Sequence, residues 1–327
     1  MSENTGSSAA LSWQRWKSRL GPVLALVVVV LAFAVLTGAP ERYLSVHNLR
    51  VVLAQTVTVA VAALGMTMIV ITGGIDLSVG SVIALAGVAA ARVLHAGASP
   101  WLAIGAALAM GALVGLVNAA AITRLKVIPF VATLGTLGAA RGIAKWMANE
   151  QTVDIPATWL NELAVTVPLN AAWLVAPGVW LAALLSLGVF VILKRTVFGR
   201  HLFAVGSNEA AARACGLSPE RLKLAVYSFA GALFGLSGLL QMSRLRQGDP
   251  TVAAGVELDV IAAVVIGGAS LSGGQGGVAG SLIGALLMAF LRNGSQQMGW
   301  PTYVQETMIG VIIVLAVAID RFRARRA

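Results

Sequence analysis

The chain has 327 residues, of which 58% are hydrophobic and 11% charged, whereas about a quarter of the residues of an ordinary soluble domain carry charge. Its apolar residues come in blocks of roughly twenty, long enough to cross a bilayer as helices, so the composition excludes a soluble domain and points to an all-α, polytopic membrane protein. The net charge of +10 is spread as a topology signal rather than as a nucleic-acid-binding patch, and the single cysteine, Cys215, excludes an internal disulfide and a zinc cluster.

The chain opens with a polar tail, residues 1–20, in which Arg15, Lys17 and Arg19 precede "GPVLALVVVVLAFAVLTG". This resembles the start of a secretory signal, but the apolar run exceeds the roughly 7–15 residues of such signals and no A-x-A site follows it. An uncleaved first transmembrane helix is expected at 21–38. Further apolar segments follow at 51–72, 78–95, 101–122, 127–147, 173–193, 224–243, 258–269, 277–292 and 303–320, making about ten crossings within a membrane domain of residues 21–320. The fifth, with Pro129 at its start and "GTLGAARG" inside, has the weakest pattern. A basic tail, 321–327, closes the chain.

With the N-terminus inside, fifteen of the 23 lysines and arginines fall in the tails and in the loops around Arg124 and between Lys194 and Lys223. The loop at 148–172 holds Glu150, Asp154 and Glu162 but no Lys or Arg. The positive-inside rule therefore places both termini in the cytoplasm and that loop outside.

Glycine occurs 36 times, often inside apolar blocks and at small-xxx-small spacing, as in Gly111 with Gly115 and Gly280 with Gly284. Such spacing lets transmembrane helices approach closely. An internal echo stands out: "GGIDLSVG" from Gly73 and "GGASLSGG" from Gly267 share GGxxLSxG between two apolar blocks. Gly73, Gly74 and Asp76 in the first copy, and Gly267, Gly268, Gly273 and Gly274 around the second, are read as structural turns. Matching breaks of this kind mark duplicated transporter halves, although a glycine-rich chain also yields them by chance. With ten crossings both turns lie on one side, as in parallel repeats; an odd shift would make them inverted.

The second copy runs into "LSGGQ", five letters familiar from ATP-binding subunits. That motif works only beside a P-loop, GxxxxGK[ST], and this chain has no Gly-Lys pair. The glycines serve as a tight turn with close backbone packing.

The longest cytoplasmic segment, 194–223, contains "GSNEAAARACGLSPERLK". A short helix over 207–216 is expected, capped by Ser207 or Asn208, with Glu209 in its first turn and Gly216 at its end. A second helix is expected to start at Ser218-Pro219 and to run into the membrane. Ala210, Ala211, Ala212 and Ala214 offer a small apolar face, with Glu209 and Arg213 at its rim.

Glu209-Ala210-Ala211 followed by Gly216 resembles the EAA-type coupling motif of ABC importer permeases. Together with "GMTMIVITGGIDLSVGSVIALAG", "VIGGASLSGGQGGVAGSLIGALL" and "LRNG", the chain from about Leu49 onward resembles the permeases of ribose, xylose and arabinose importers, which are related to branched-chain amino acid permeases. The resemblance implies a multi-pass subunit of the inner or plasma membrane that binds no cofactor or metal and carries no catalytic residue. It implies three partners: a separate ATP-binding cassette ATPase that uses ATP-Mg, an extracytoplasmic sugar-binding protein, and a second permease copy or homologue. Ser207, Asn208, Glu209, Ala210, Ala211, Arg213 and Gly216 would then couple the chain to its ATPase.

Two other classes remain. An ion-coupled secondary transporter needs intramembrane ionisable groups, for which Asp76, Asp259 and Glu306 are the candidates. A membrane enzyme would have to use His47, His95 or His201, with no accompanying motif. For a sugar pathway, neutral polar residues suit the lining: Gln55, Thr58, Thr67, Asn118, Thr133, Thr136, Asn293 and Gln296. Each is equally suited to bond one helix to another. Asp76 is expected to cap the third membrane helix rather than to touch sugar. The purified chain should hydrolyse no ATP; turnover abolished by Gly274→Asp would contradict this.

Overall fold

A computed structural model describes residues 5–165 and 174–324. Among these are thirteen α-helices: α1 (Thr5–Leu36), α2 (Pro40–Tyr43), α3 (Val46–Ile71), α4 (Val79–His95), α5 (Pro100–Thr123), α6 (Pro129–Ala148), α7 (Pro177–Arg195), α8 (Val197–Ser207), α9 (Glu209–Ala214), α10 (Pro219–Leu245), α11 (Val256–Ile266), α12 (Val278–Gln297) and α13 (Thr302–Ala324). A two-residue antiparallel ladder joins β1 (Val153–Asp154) to β2 (Gln247–Gly248). Residues 166–172 of the expected outer loop, the first four residues of the N-terminal tail, and Arg325 and Arg326 lie outside the described residues.

Each apolar segment of the sequence falls on a helix, namely α1, α3 to α7 and α10 to α13. Four of these helices begin with proline, at Pro100, Pro129, Pro177 and Pro219. Proline at the first position loses no intrahelical hydrogen bond. The weakly patterned fifth segment is thus a full helix of 20 residues, α6, closed by Asn149 in the left-handed region. Ser45 and Ser99 cap α3 and α5 by accepting from the amides of Asn48 and Leu102.

Among the described residues, five helices, α3, α5, α7, α10 and α12, are long and apolar enough to cross a bilayer. At eleven residues, α11 spans about 17 Å, half a hydrocarbon core. The apolar window of α3 is 89% buried and that of α7 only 28%. So α3 is the central post, and α7 presents Leu184 and Leu187 outward, as α5 presents Leu113 and Leu116.

The helices meet through backbone. A Cβ added at Gly111 of α5 would strike Gly231 O of α10 and lie 2.7 Å from Gly235 N, while one at Gly115 would strike Tyr227 O. Between α11 and α12, Gly267 faces Gly280 and Gly284 faces Ala263 in the same manner. Lipid supplies no hydrophobic force between helices, so contacts this close hold them by dispersion. Hydroxyls add cross-links where side chains meet: Thr67 of α3 lies 2.6 Å from Ser281 of α12.

Gly231→Val should therefore destabilise the protein by about 1–3 kcal/mol, the usual cost of overpacking, read as a lower Tm in detergent. Gly105→Ala, where an added Cβ meets nothing within 4 Å, should leave the Tm unchanged. Equal Tm values for the two variants would contradict the helix seam.

Candidate functional site

The segment between α7 and α10 folds as two helices, where the sequence suggested one. Thr196 caps α8 by accepting from the Gly199 amide at 3.2 Å, and Gly199, Leu202 and Val205 turn inward. Asn208 caps α9 through a 2.9 Å bond from the Ala211 amide. Ser207 ends α8 and is not the cap, because the break falls one residue later than the expected start. Gly216, at φ +85°, turns the chain back toward α10. The sequence gives α8 a faint signal only, with Leu202 and Val205 three apart in a stretch read as loop.

That reversal lays α9 against the first turn of α10. Arg213 reaches Glu209 at 3.3 Å and Glu220 at 2.7 Å, Lys223 reaches Glu209 at 2.6 Å, and Lys126, between α5 and α6, reaches Glu220 at 3.6 Å. Glu209 and Arg213, exposed at the rim of the alanine face, are thus also engaged within the chain. Exposed ion pairs each contribute about 0–1 kcal/mol, so their effect is on orientation more than on stability. Glu220 holds the Arg213 guanidinium pKa above its ordinary value. Ala212 is buried beneath the network, whereas Ala210, Ala211 and Ala214 remain exposed.

The two GGxxLSxG turns meet at this end of the molecule. The Gly274 amide donates to Ile71 O at 2.9 Å. A Cβ on Gly273 would sit 3.0 Å from Gly73 Cα and 2.6 Å from Gly206 O; one on Gly206 would strike Ile71 O and lie 2.8 Å from Gly274 N. Gly73, Gly268, Gly273 and Gly274 all have φ between +72° and +92°, a region that glycine enters without strain. Gly74 abuts the Tyr227 hydroxyl, and Gly267 abuts Gly280. Gly206 of α8, which the sequence reading passed over, touches Ile71 at the end of α3 and Gly273 and Gly274 of the second turn.

The polar residues gather into separate clusters. Asp76 is 1% exposed and accepts from the Ser78 amide at 2.8 Å and the Ser78 hydroxyl at 2.6 Å. Asn118 donates to Asp76 at 3.2 Å and to Ser78 at 3.0 Å, and Thr136 donates to Asn118 at 2.6 Å. Asp76 therefore closes a local turn and does not cap α4. That helix starts at Val79 with Ser78 at the cap position, which leaves Asp76 too far back to reach its second and third amides. Asn293 lies in a different cluster with Asn48 and Gln297. Thr58 bonds to Gln241 at 3.3 Å, Gln55 is half-buried one turn before it on α3, and Gln296 is exposed. Thr133 is spent on Pro129 O of its own helix at 2.9 Å.

Residues 48–317 match the family model described as branched-chain amino acid transport system / permease component. The chain is 36% identical over 320 residues to the ribose import permease protein RbsC of Escherichia coli K12, covering 98% of this chain and 99% of that one. It is 37% identical over 309 residues to the ribose import permease protein RbsC of Bacillus subtilis, covering 93% and 92%. With the xylose transport system permease protein XylH of Escherichia coli K12 it shares 34% identity over 363 residues, covering 93% and 92%. No solved structure matches. With its helical, glycine-seamed bundle, this chain belongs to the branched-chain amino acid transport system permease component family and is a multi-pass inner-membrane transport subunit, not an enzyme.

Proposed function

We propose that this chain is the membrane-spanning subunit of an ATP-driven importer of a ribose-like monosaccharide. One observation carries the mechanism: α8, directly joined to α9, touches through Gly206 both the end of α3 at Ile71 and the second glycine turn at Gly274. The relatives named for ribose and xylose import, matched over more than nine-tenths of this chain, supply the solute class. An ion-coupled carrier finds no support among them.

In this reading the partner ATPase hydrolyses ATP-Mg and pushes on α9 through the exposed Ala210, Ala211 and Ala214. The network of Arg213, Glu209, Glu220, Lys223 and Lys126 keeps α9 from swivelling on its Gly216 hinge. Displacement then passes through α8 to the turn after α3 and the turn before α12 together. The other partners are an extracytoplasmic sugar-binding protein, a second permease copy or homologue, and the surrounding lipid; nucleic acid has no part. The chain holds no cofactor or metal of its own. Ten crossings with both termini in the cytoplasm set α9 on the ATPase side.

The transporter, assembled with its ATPase and sugar-binding protein, should show ATP hydrolysis stimulated by ribose. Gly206→Val should retain the bound ATPase and lower uptake by about 5–150-fold, the span of ordinary coupling free energies. Normal uptake by that variant would break the coupling route. Reporter fusions after Ala324 and at Gln151 should report opposite sides; equal signals would make the crossing count wrong by one.

A further inference from the structure

One charged pair joins the first turn of α11 to the last turns of α12, away from the coupling segment. Asp259, in the first turn of α11, is 1% exposed, and its Oδ2 pairs with Nη2 of Arg292 on α12. Ionisable residues at membrane depth are costly, and they mark solute paths more often than struts. This pair is also incomplete. Asp259 Oδ1 and Arg292 Nε are both shielded, and neither has a hydrogen-bond partner among the described residues. A strut selected for stability would use both atoms, since an unsatisfied buried polar group costs folding free energy.

The surroundings fit a polar solute. The Arg292 side chain is 35% exposed, whereas that of Asp259 is sealed. Arg244 of α10 lies within electrostatic range of Arg292, and Glu257 within range of Asp259. Gln241 is one turn before Arg244 on the same face of α10 and accepts from Thr58 of α3. Among the described residues of these helices, the Asp259–Arg292 pair has an orphan acceptor beside an orphan donor.

We propose that Asp259 and Arg292 form a contact point for vicinal hydroxyls of the passing solute; this rests on the sugar reading above. When the partly exposed Arg292 side chain swings aside, one hydroxyl donates to Asp259 Oδ1 and its neighbour accepts from Arg292 Nε–H. The pair is neutral overall, which suits an uncharged polyol. It is satisfied by solute only in passing, so the solute is not held.

The test uses the whole transporter, with its ATPase and sugar-binding protein, in proteoliposomes supplied with saturating D-ribose. Asp259→Asn and Arg292→Gln should each lower ribose uptake about tenfold, the scale of a lost hydrogen bond to a charged group. ATP consumed per ribose should rise. The exchanged double variant D259R/R292D restores an ion pair with donor and acceptor reversed, and should not restore ribose uptake. Recovery by that double variant would show a strut and overturn the proposal, as would wild-type uptake by either single variant. If the single variants fail to assemble, Arg292→Lys decides: it keeps the charge but lacks Nε–H, and wild-type ribose uptake by it would overturn the proposal. A wild-type transporter that moves neither ribose nor xylose would remove the sugar reading first, and this contact with it.

Discussion

Helices dissolved in lipid gain little by hiding leucine from a solvent as apolar as leucine, and this protein depends on the alternative, backbone laid directly on backbone. Gly111 and Gly115 seat α5 on Gly231 and Tyr227 of α10, and Gly280 and Gly284 seat α12 on Gly267 and Ala263 of α11. The same rule governs the end of the bundle where Gly206 lies on Ile71 and Gly274. Contacts of this kind leave no side chain to rotate out of the way, so displacement of one partner has to move the other.

This gives the two glycine turns a role that neither would have singly. They are far apart in sequence and touch in space, with the last turn of α8 wedged against the second of them and against Ile71 at the end of α3. Their position at one end means that α3 with α4, and α11 with α12, reverse direction at the same level. A push arriving through α8 would therefore act on the central post, α3, and on the half-length helix α11 together. The "LSGGQ" spelling follows from this geometry: Gly273 and Gly274 occupy left-handed backbone positions, and Gly273 sits where a Cβ would foul Gly206 O.

Much of the architecture was legible because apolar blocks and proline starts are local signals. All ten blocks became helices, and Asn208, Gly216 and Pro219 delimit α9 and α10 as their chemistry suggested. Partnership was not legible. Asn48 and Asn293 bond across 245 positions, and no pattern around either names the other. Arg213 looked available because its partner Glu220 becomes near only after the Gly216 reversal. Asp76 looked like a cap because a helix start two residues later changes which amides it can reach. The α8 helix was missed because its buried face is only three residues wide, too little periodicity to separate from loop.

The claim on which the account turns is that α8 and the second glycine turn move as one body. In a chain whose Cys215 is replaced by serine, cysteines at Ser207 and Gly274 test it directly. Their Cβ positions are 3.2 Å apart, close to the roughly 3.8 Å of a disulfide. The account predicts that this pair oxidises readily in native membranes and stays cross-linked without loss of uptake, because the two elements never need to separate. A pair that resists oxidation, or a cross-link that arrests uptake while ATP hydrolysis continues, would contradict it.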